Sequence, residues 1–123
     1  MASSHKVKVS FLTNVSNKEL LVLYRNAKIY WHAAGFGVDE NRFVEAVEHL
    51  GITPLQAMAA GLVTMCHNNG GPARYIADGS NGYLYSSINE LVEKTINTTA
   101  IDTGHIVHAA QNYVREHFFS ECL

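Results

Sequence analysis

The sequence predicts an α/β domain: a Rossmann-like parallel sheet of about four strands with helices on both faces. Three observations carry that prediction. Apolar segments of strand length alternate with segments of helical period, in the order β-α-β-(excursion)-α-β-α-β-α-α. The helical segments open on capping signals at Ser16-Asn17-Lys18-Glu19, Thr53-Pro54-Leu55-Gln56 and Ser87-Ile88-Asn89-Glu90. Glycines stand where strands and helices join, at Gly51, Gly61, Gly70, Gly71 and Gly79.

Taken in order, VKVSFL at 7–12 alternates and is rich in β-formers, which predicts a first strand. A helix follows the Ser16 cap, with Leu20, Leu23, Tyr24 and Ala27 on its buried face. KIYWHAA predicts a second strand, central in the sheet, with Trp31 in the core. Residues 35–49 hold much of the local acid without a clear period and predict a surface excursion, with a helical turn around 42–47. Thr53 opens the next helix, Pro54 suits its first position, and Gly61 ends it in a left-handed conformation. LVTMCH is a continuous apolar strand of the kind buried on both faces. Gly70-Gly71-Pro72 opens a short helix closed by Asp78-Gly79, and GYLYS is the fourth strand. The helix after Ser87 presents Ile88, Leu91, Val92 and Ile96. The last, over 102–118, presents Ile106, Ala109, Ala110, Tyr113 and Val114.

Composition bounds the function. The chain of 123 residues is 47% hydrophobic and 16% charged, enough for one domain with a core and too apolar for disorder. A net charge of -2, with scattered basic residues, gives no electrostatic case for nucleic acid or an anionic membrane. No apolar run approaches a transmembrane length, and MASSHKVKVS has no hydrophobic signal core, so a cytoplasmic location with Cys66 and Cys122 as free thiols is expected. Residues 1–5 are expected to be disordered or appended, and the whole chain 1–123 to be one domain.

In open parallel sheets, ligands bind beyond the carboxyl ends of the strands. Two helix N-termini are expected there, at Gly51-Ile52-Thr53 and Gly70-Gly71. Unpaired amides and the helix dipole make each a candidate anion site, phosphate above all. On spacing alone the turns are better read as tight βα connections, since neither matches GxGxxG or a P-loop.

The run from Glu48 to Tyr83, EHLGITPLQAMAAGLVTMCHNNGGPARYIADGSNGY, resembles the retaining glycosyltransferases of family 4, also called group 1. Their pattern is similar to E-x-F-G-I-x-x-x-E-A-M-A-x-G, a strand, G-G-x-x-E and D-G-x-N-G. VSFLTNVSNKELLVLYRNAKIYWHAAG and REHFFSECL resemble flanking segments of the same family, so nearly the whole chain is covered. The resemblance implies the C-terminal, donor-binding part of a GT-B fold and transfer of a sugar from a nucleotide-diphosphate donor to a hydroxyl, with retention. It implies that Glu48 faces and orients the donor sugar. It implies that Gly51, Ile52 and Thr53 supply amides near the distal phosphate, that Gly70 and Gly71 line the same pocket, and that Gln56 stands at the ribose. It implies no cofactor and no metal, the nucleotide-sugar being substrate.

Two residues depart from the pattern. Gln56 replaces a carboxylate that accepts from both ribose hydroxyls, and an amide offers only one acceptor oxygen. Arg74 replaces the Glu of G-G-x-x-E, and is suited to reach a phosphate, to pair with Glu48, or to lie on the surface. Against the pattern the chain begins about halfway through the C-terminal domain. The N-terminal acceptor domain, and the basic residues expected to hold the diphosphate, are therefore expected on a partner or on further chain. Without them no turnover is expected from this chain alone. The first strand is expected to pair directly with the second, or the open edge to form a homodimer. In the full-length protein a peripheral membrane location is a second expectation.

The competing reading is a non-catalytic nucleotide- or partner-binding remnant of the fold, favoured by Gln56 and Arg74; a hydrolase using Glu48 is a distant third. His105 and His108 share a helix face but lack a third metal ligand of suitable spacing. Cys66 and His67 are adjacent on a strand and point to opposite faces. His32 is expected to be structural rather than ligand-binding. Asp39, Glu40 and Glu45 are expected to be solvated, and Phe118-Phe119 to form an exposed patch.

Overall fold

The computed structural model describes residues 7–33, 52–69 and 71–118. Their elements are α1 (Asn17–Asn26), β1 (Ile29–His32), α2 (Ile52–Ala60), β2 (Val63–His67), α3 (Pro72–Tyr75), β3 (Tyr83–Tyr85), α4 (Ile88–Thr99) and α5 (Gly104–His117). The strands form a parallel sheet in the order β1-β2-β3. Ile29 pairs with Val63 and Trp31 with Met65, while Met65 pairs with Tyr83 and His67 with Tyr85.

Helix ends follow their local chemistry. Ser16 Oγ accepts from Glu19 N at 3.1 Å, the N-cap bond expected of α1, and donates to Glu19 Oε1 at 3.3 Å. Ser87 Oγ accepts from Glu90 N at 3.1 Å, and Glu90 Oε1 accepts from Ser86 N at 2.5 Å. Gly61 ends α2 at φ 93, with its amide bonded to Met58 O and the Leu62 amide to Ala57 O. That pair of bonds is the Schellman closure, which a residue with a Cβ enters only under strain.

Alternation along the strands sorts the core into two sides. Leu55, Met58, Cys66, Tyr75, Ile76, Ala110 and Val114 pack together on the side covered by α2, α3 and α5, with Leu84 against them. Tyr24 of α1 joins Ala57, Leu62 and Tyr30 on that same side. On the opposite side Val63, Met65 and Tyr85 pack with Leu91 of α4, and Ile29 and Val107 lie against them. Helices thus cover both faces. β2, central in the order, is buried along Val63–Cys66, as its apolar run predicts.

Five expectations are corrected. Residues 7–12 are not a strand but an irregular, exposed segment, with Phe11 92% exposed, so three strands are described. A period-two pattern needs a paired neighbour to become a strand, and the segment has none among the described residues. Trp31 is 55% exposed rather than core: among the described residues β1 stands at the edge of the sheet, and the indole Nε1 donates to Thr95 Oγ1 of α4 at 3.0 Å. On α4 only Leu91 of the expected apolar face is buried; Ile88, Val92 and Ile96 are exposed, since Thr95 and Thr98 turn toward the sheet beside it. Leu23 of α1 is likewise exposed. The short helix α3 ends at Tyr75, before Asp78. The excursion at 35–49, Phe119 and Cys122 lie outside the described residues.

Candidate functional site

The candidate site is the carboxyl edge of the sheet. Glu48, Gly51 and Gly70 lie outside the described residues, as does the side chain of Ile52. Thr53, Gln56, Gly71 and Arg74 are described.

α2 starts at Ile52, one residue before the expected Thr53. Thr53 is half-buried and Pro54 is buried, while Leu55, Ala57 and Met58 are fully inside the core. The helix is therefore anchored along one side. Its first turn carries no acidic residue, so nothing within the helix offsets the positive end of its dipole. Gln56 is exposed and stands, with Asn17, Tyr24 and Arg25, around a groove of about 510 Å³ between α1 and α2.

Gly71 is buried and caps α3 with an ordinary right-handed conformation, φ -60, its carbonyl accepting from Arg74 N at 3.0 Å. Its dihedral angles are ones that any residue adopts. Arg74 is exposed, and no ion pair of it is seen among the described residues. Gly71 and Arg74 thus share one short helix, and Thr53 and Gln56 share α2.

The floor of this edge is held by a contact that residue patterns do not announce. Tyr85 Oη, on β3, donates to the carbonyl of His32, on β1, at 2.8 Å and ties the two outer strands together. Burial pushes the Tyr85 phenol above its usual pKa, with Cys66 adding in the same direction. His32 is buried, its Nδ1 sharing a hydrogen with Tyr30 Oη at 2.9 Å, in keeping with a structural role. His67 stacks obliquely on Tyr85 with ring centroids 5.9 Å apart.

The D-G-x-N-G segment is structural. Asn81 is buried, its Oδ1 accepting from Ala77 N at 2.8 Å and its Nδ2 donating to Tyr75 O at 3.1 Å. Asp78 Oδ1 accepts from Leu84 N at 2.9 Å, and its carboxylate meets Lys94 Nζ at 3.0 Å. Lys94 Nζ also donates to the Leu84 carbonyl. A Cβ on Gly82 would lie 2.8 Å from the Thr64 carbonyl oxygen, so only glycine lets β3 approach β2 there. The signal for this role was the motif itself; its inward direction came only with the fold.

Among the described residues no cluster of side chains could hold a metal ion. His105 is exposed, and His108 Nε2 bonds Asn112 Nδ2 at 3.1 Å. Cys66 is buried in the core. No helix among the described residues is long and apolar enough to cross a membrane.

Comparison with known proteins bears on this edge. The sequence profile of the family described as "Glycosyl transferases group 1" matches residues 1–103. The α-1,3/1,6-mannosyltransferase alg-2 of Neurospora crassa is 34% identical over 82 residues, 67% of this chain and 15% of that protein. The α-1,3/1,6-mannosyltransferase alg2 of Schizosaccharomyces pombe is 33% identical over 81 residues, 62% of this chain and 16% of its own. Sucrose synthase 5 of Arabidopsis thaliana is 39% identical over 61 residues, 48% of this chain and 7% of its own. The chain spans about 15% of the length of the mannosyltransferases it matches.

Proposed function

We propose, from the premise that the chain belongs to the group 1 glycosyl transferases, that it forms the donor side of a retaining sugar transfer. The observation that carries this reading is α2: a helix anchored in the core, free of acid in its first turn, whose N-terminus stands beyond the carboxyl end of β1. Such an end favours the phosphates of a nucleotide-diphosphate sugar. In the proposed transfer the bond from the anomeric carbon to the diphosphate oxygen breaks, and a new one forms to an acceptor hydroxyl, whose proton is released.

Glu48 is proposed to orient the donor sugar. The amides at Gly51, Ile52 and Thr53 are proposed to face the distal phosphate, with Gly70 and Gly71 lining the same pocket. Gln56 is proposed to bond one ribose hydroxyl, and Arg74 to reach a phosphate. No metal or cofactor enters this scheme. The names of the Neurospora and Schizosaccharomyces relatives make a mannosyl donor the first to try. Diphosphate departure needs cations beyond those named here, so the chain alone is proposed to bind donor without turning it over, an acceptor-binding domain being the partner. The second reading, a non-catalytic nucleotide- or partner-binding remnant, is favoured by Gln56 and Arg74.

Ligand-observed NMR of the purified chain with UDP-, GDP- and ADP-sugars tests the proposal. Binding that is lost in Glu48→Ala and in Gly71→Val supports a working donor site and names the nucleotide. No binding at millimolar donor, in a chain whose spectrum is folded, discards it in favour of the partner-binding remnant.

A further inference from the structure

The sequence holds two Asn-Gly pairs, Asn69-Gly70 and Asn81-Gly82. A glycine amide nitrogen has no Cβ beside it and the widest choice of backbone angles, so it is the one best able to attack the side-chain carbon of the asparagine before it. In the second pair the fold stands in the way. Asn81 is 7% exposed, and Gly82 is buried. Both polar atoms of the Asn81 carboxamide are engaged, Oδ1 by Ala77 N at 2.8 Å and Nδ2 by Tyr75 O at 3.1 Å. Gly82 is held too. Its carbonyl accepts from Gly79 N at 2.8 Å, and it lies so near β2 that a Cβ would stand 2.8 Å from Thr64 O. Bringing Asn81 Cγ onto the Gly82 nitrogen means giving up the carboxamide's bonds and admitting water.

What clamps this turn lies on its outside. Asp78 Oδ1 accepts from Leu84 N at 2.9 Å, and Lys94 Nζ of α4 meets the two Asp78 oxygens at 3.1 and 3.0 Å. Lys94 Nζ also donates to the Leu84 carbonyl. The Asp78 side chain is 49% exposed, so the clamp is open to salt where the carboxamide is not.

We infer that Asn81-Gly82 is a latent deamidation site, gated by the Lys94–Asp78 clamp, whose reaction fixes the turn open. When the turn opens, the Gly82 nitrogen bonds to Asn81 Cγ and gives up its proton. The bond from Cγ to Nδ2 breaks, and ammonia leaves. Water then cleaves the cyclic imide at either carbonyl, which yields aspartate or isoaspartate; water is the only co-reactant. Aspartate closes the turn poorly. A carboxylate oxygen would face the Tyr75 carbonyl where an N–H stood, and a charge would be buried. Isoaspartate adds a methylene to the backbone where it nears Thr64 O. The reaction thus records opening of the turn irreversibly, and it stands whether or not the chain binds a sugar donor.

Peptide mapping by mass spectrometry of the full chain, aged folded and in urea, tests this. Deamidation at Asn81 is expected to be about ten-fold or more slower in the folded chain. In the folded chain, Lys94→Met and high salt should each speed it about two- to five-fold relative to Asn69, which the clamp does not touch. Equal rates at Asn81 in the folded and unfolded chain overturn the gate. A rate unmoved by both Lys94→Met and salt overturns the role of the clamp; should Lys94→Met fail to fold, the salt series on the unaltered chain decides. Asn81→Asp, made directly, should unfold at lower urea than the unaltered chain or fail to fold. An unchanged midpoint would mean that the turn closes around aspartate, and the irreversible step falls.

Discussion

Met65 and Trp31 are partners in register on adjacent parallel strands, yet Met65 is 0% exposed and Trp31 is 55% exposed. Both side chains point to the side of α4. The difference is position: β2 has a strand on each side and helices on each face, whereas β1, among the described residues, has a strand on one side alone and meets α4 through the bond to Thr95. Residue type set the tendency to pair and to bury; the number of neighbours decided whether it was realised. The same contrast separates the two halves of the helical layer. α2 buries Leu55, Ala57 and Met58, and α1 buries only Tyr24.

The sharpest way to break the comparison is to cut both partners. Met65→Ala is expected to destabilise by about 2–5 kcal/mol, since a filled site becomes a cavity, and Trp31→Ala by about 1 kcal/mol or less. Urea unfolding of both variants measures this; equal losses would mean that the edge carries as much as the centre. Next in size is Asn81→Ala. It strips two backbone groups, the part-buried Ala77 N–H and the buried Tyr75 C=O, of their partner and should cost about 1–3 kcal/mol by the same measurement.

Two tyrosines sharpen the contrast further. Tyr85→Phe removes the bond to His32 O and should cost about 1 kcal/mol. Tyr24→Phe should cost less, because the Tyr24 hydroxyl is buried without a hydrogen-bond partner among the described residues. Burial raises the pKa of both phenols. The unfolded chain therefore ionises first, so their contribution is whole below the ordinary phenol value of about 10 and is lost as pH rises through the folded values. Alkaline unfolding curves of both Phe variants should be flatter than that of the unaltered chain. The smallest effect expected is at Lys94→Met. Its ion pair with Asp78 is partly solvated, so a loss of about 1 kcal/mol or less should be seen, and it should shrink in high salt for the paired part.

What could be read beforehand followed the range of the interactions. The Ser16 and Ser87 caps, the Gly61 closure and the burial of β2 depend on residues within one turn or one strand of each other, and each is found as the sequence predicts. The family resemblance was legible for a similar reason: its motif lies in one continuous run, and the match to residues 1–103 supports it. Thr53, Gln56, Gly71 and Arg74 could be named from that run, although their chemistry with a donor belongs to experiment. The site's floor was not legible. Tyr85 and His32 are 53 residues apart, and nothing local says that one hydroxyl will reach the other carbonyl.

By itself, then, the sequence determined the alternating α/β order, the Ser16 and Ser87 caps, the Gly61 closure, the buried strand β2 and the family, because capping, glycine turns and apolar periodicity are local properties of the chain. The tertiary structure alone decided that, among the described residues, β1 is an edge, that Trp31 and the Ile88-Val92-Ile96 stripe face solvent, and that 7–12 stands apart from the sheet. Those outcomes depend on which neighbours arrive on each side, and a strand's own residues carry its pairing tendency without supplying the partner.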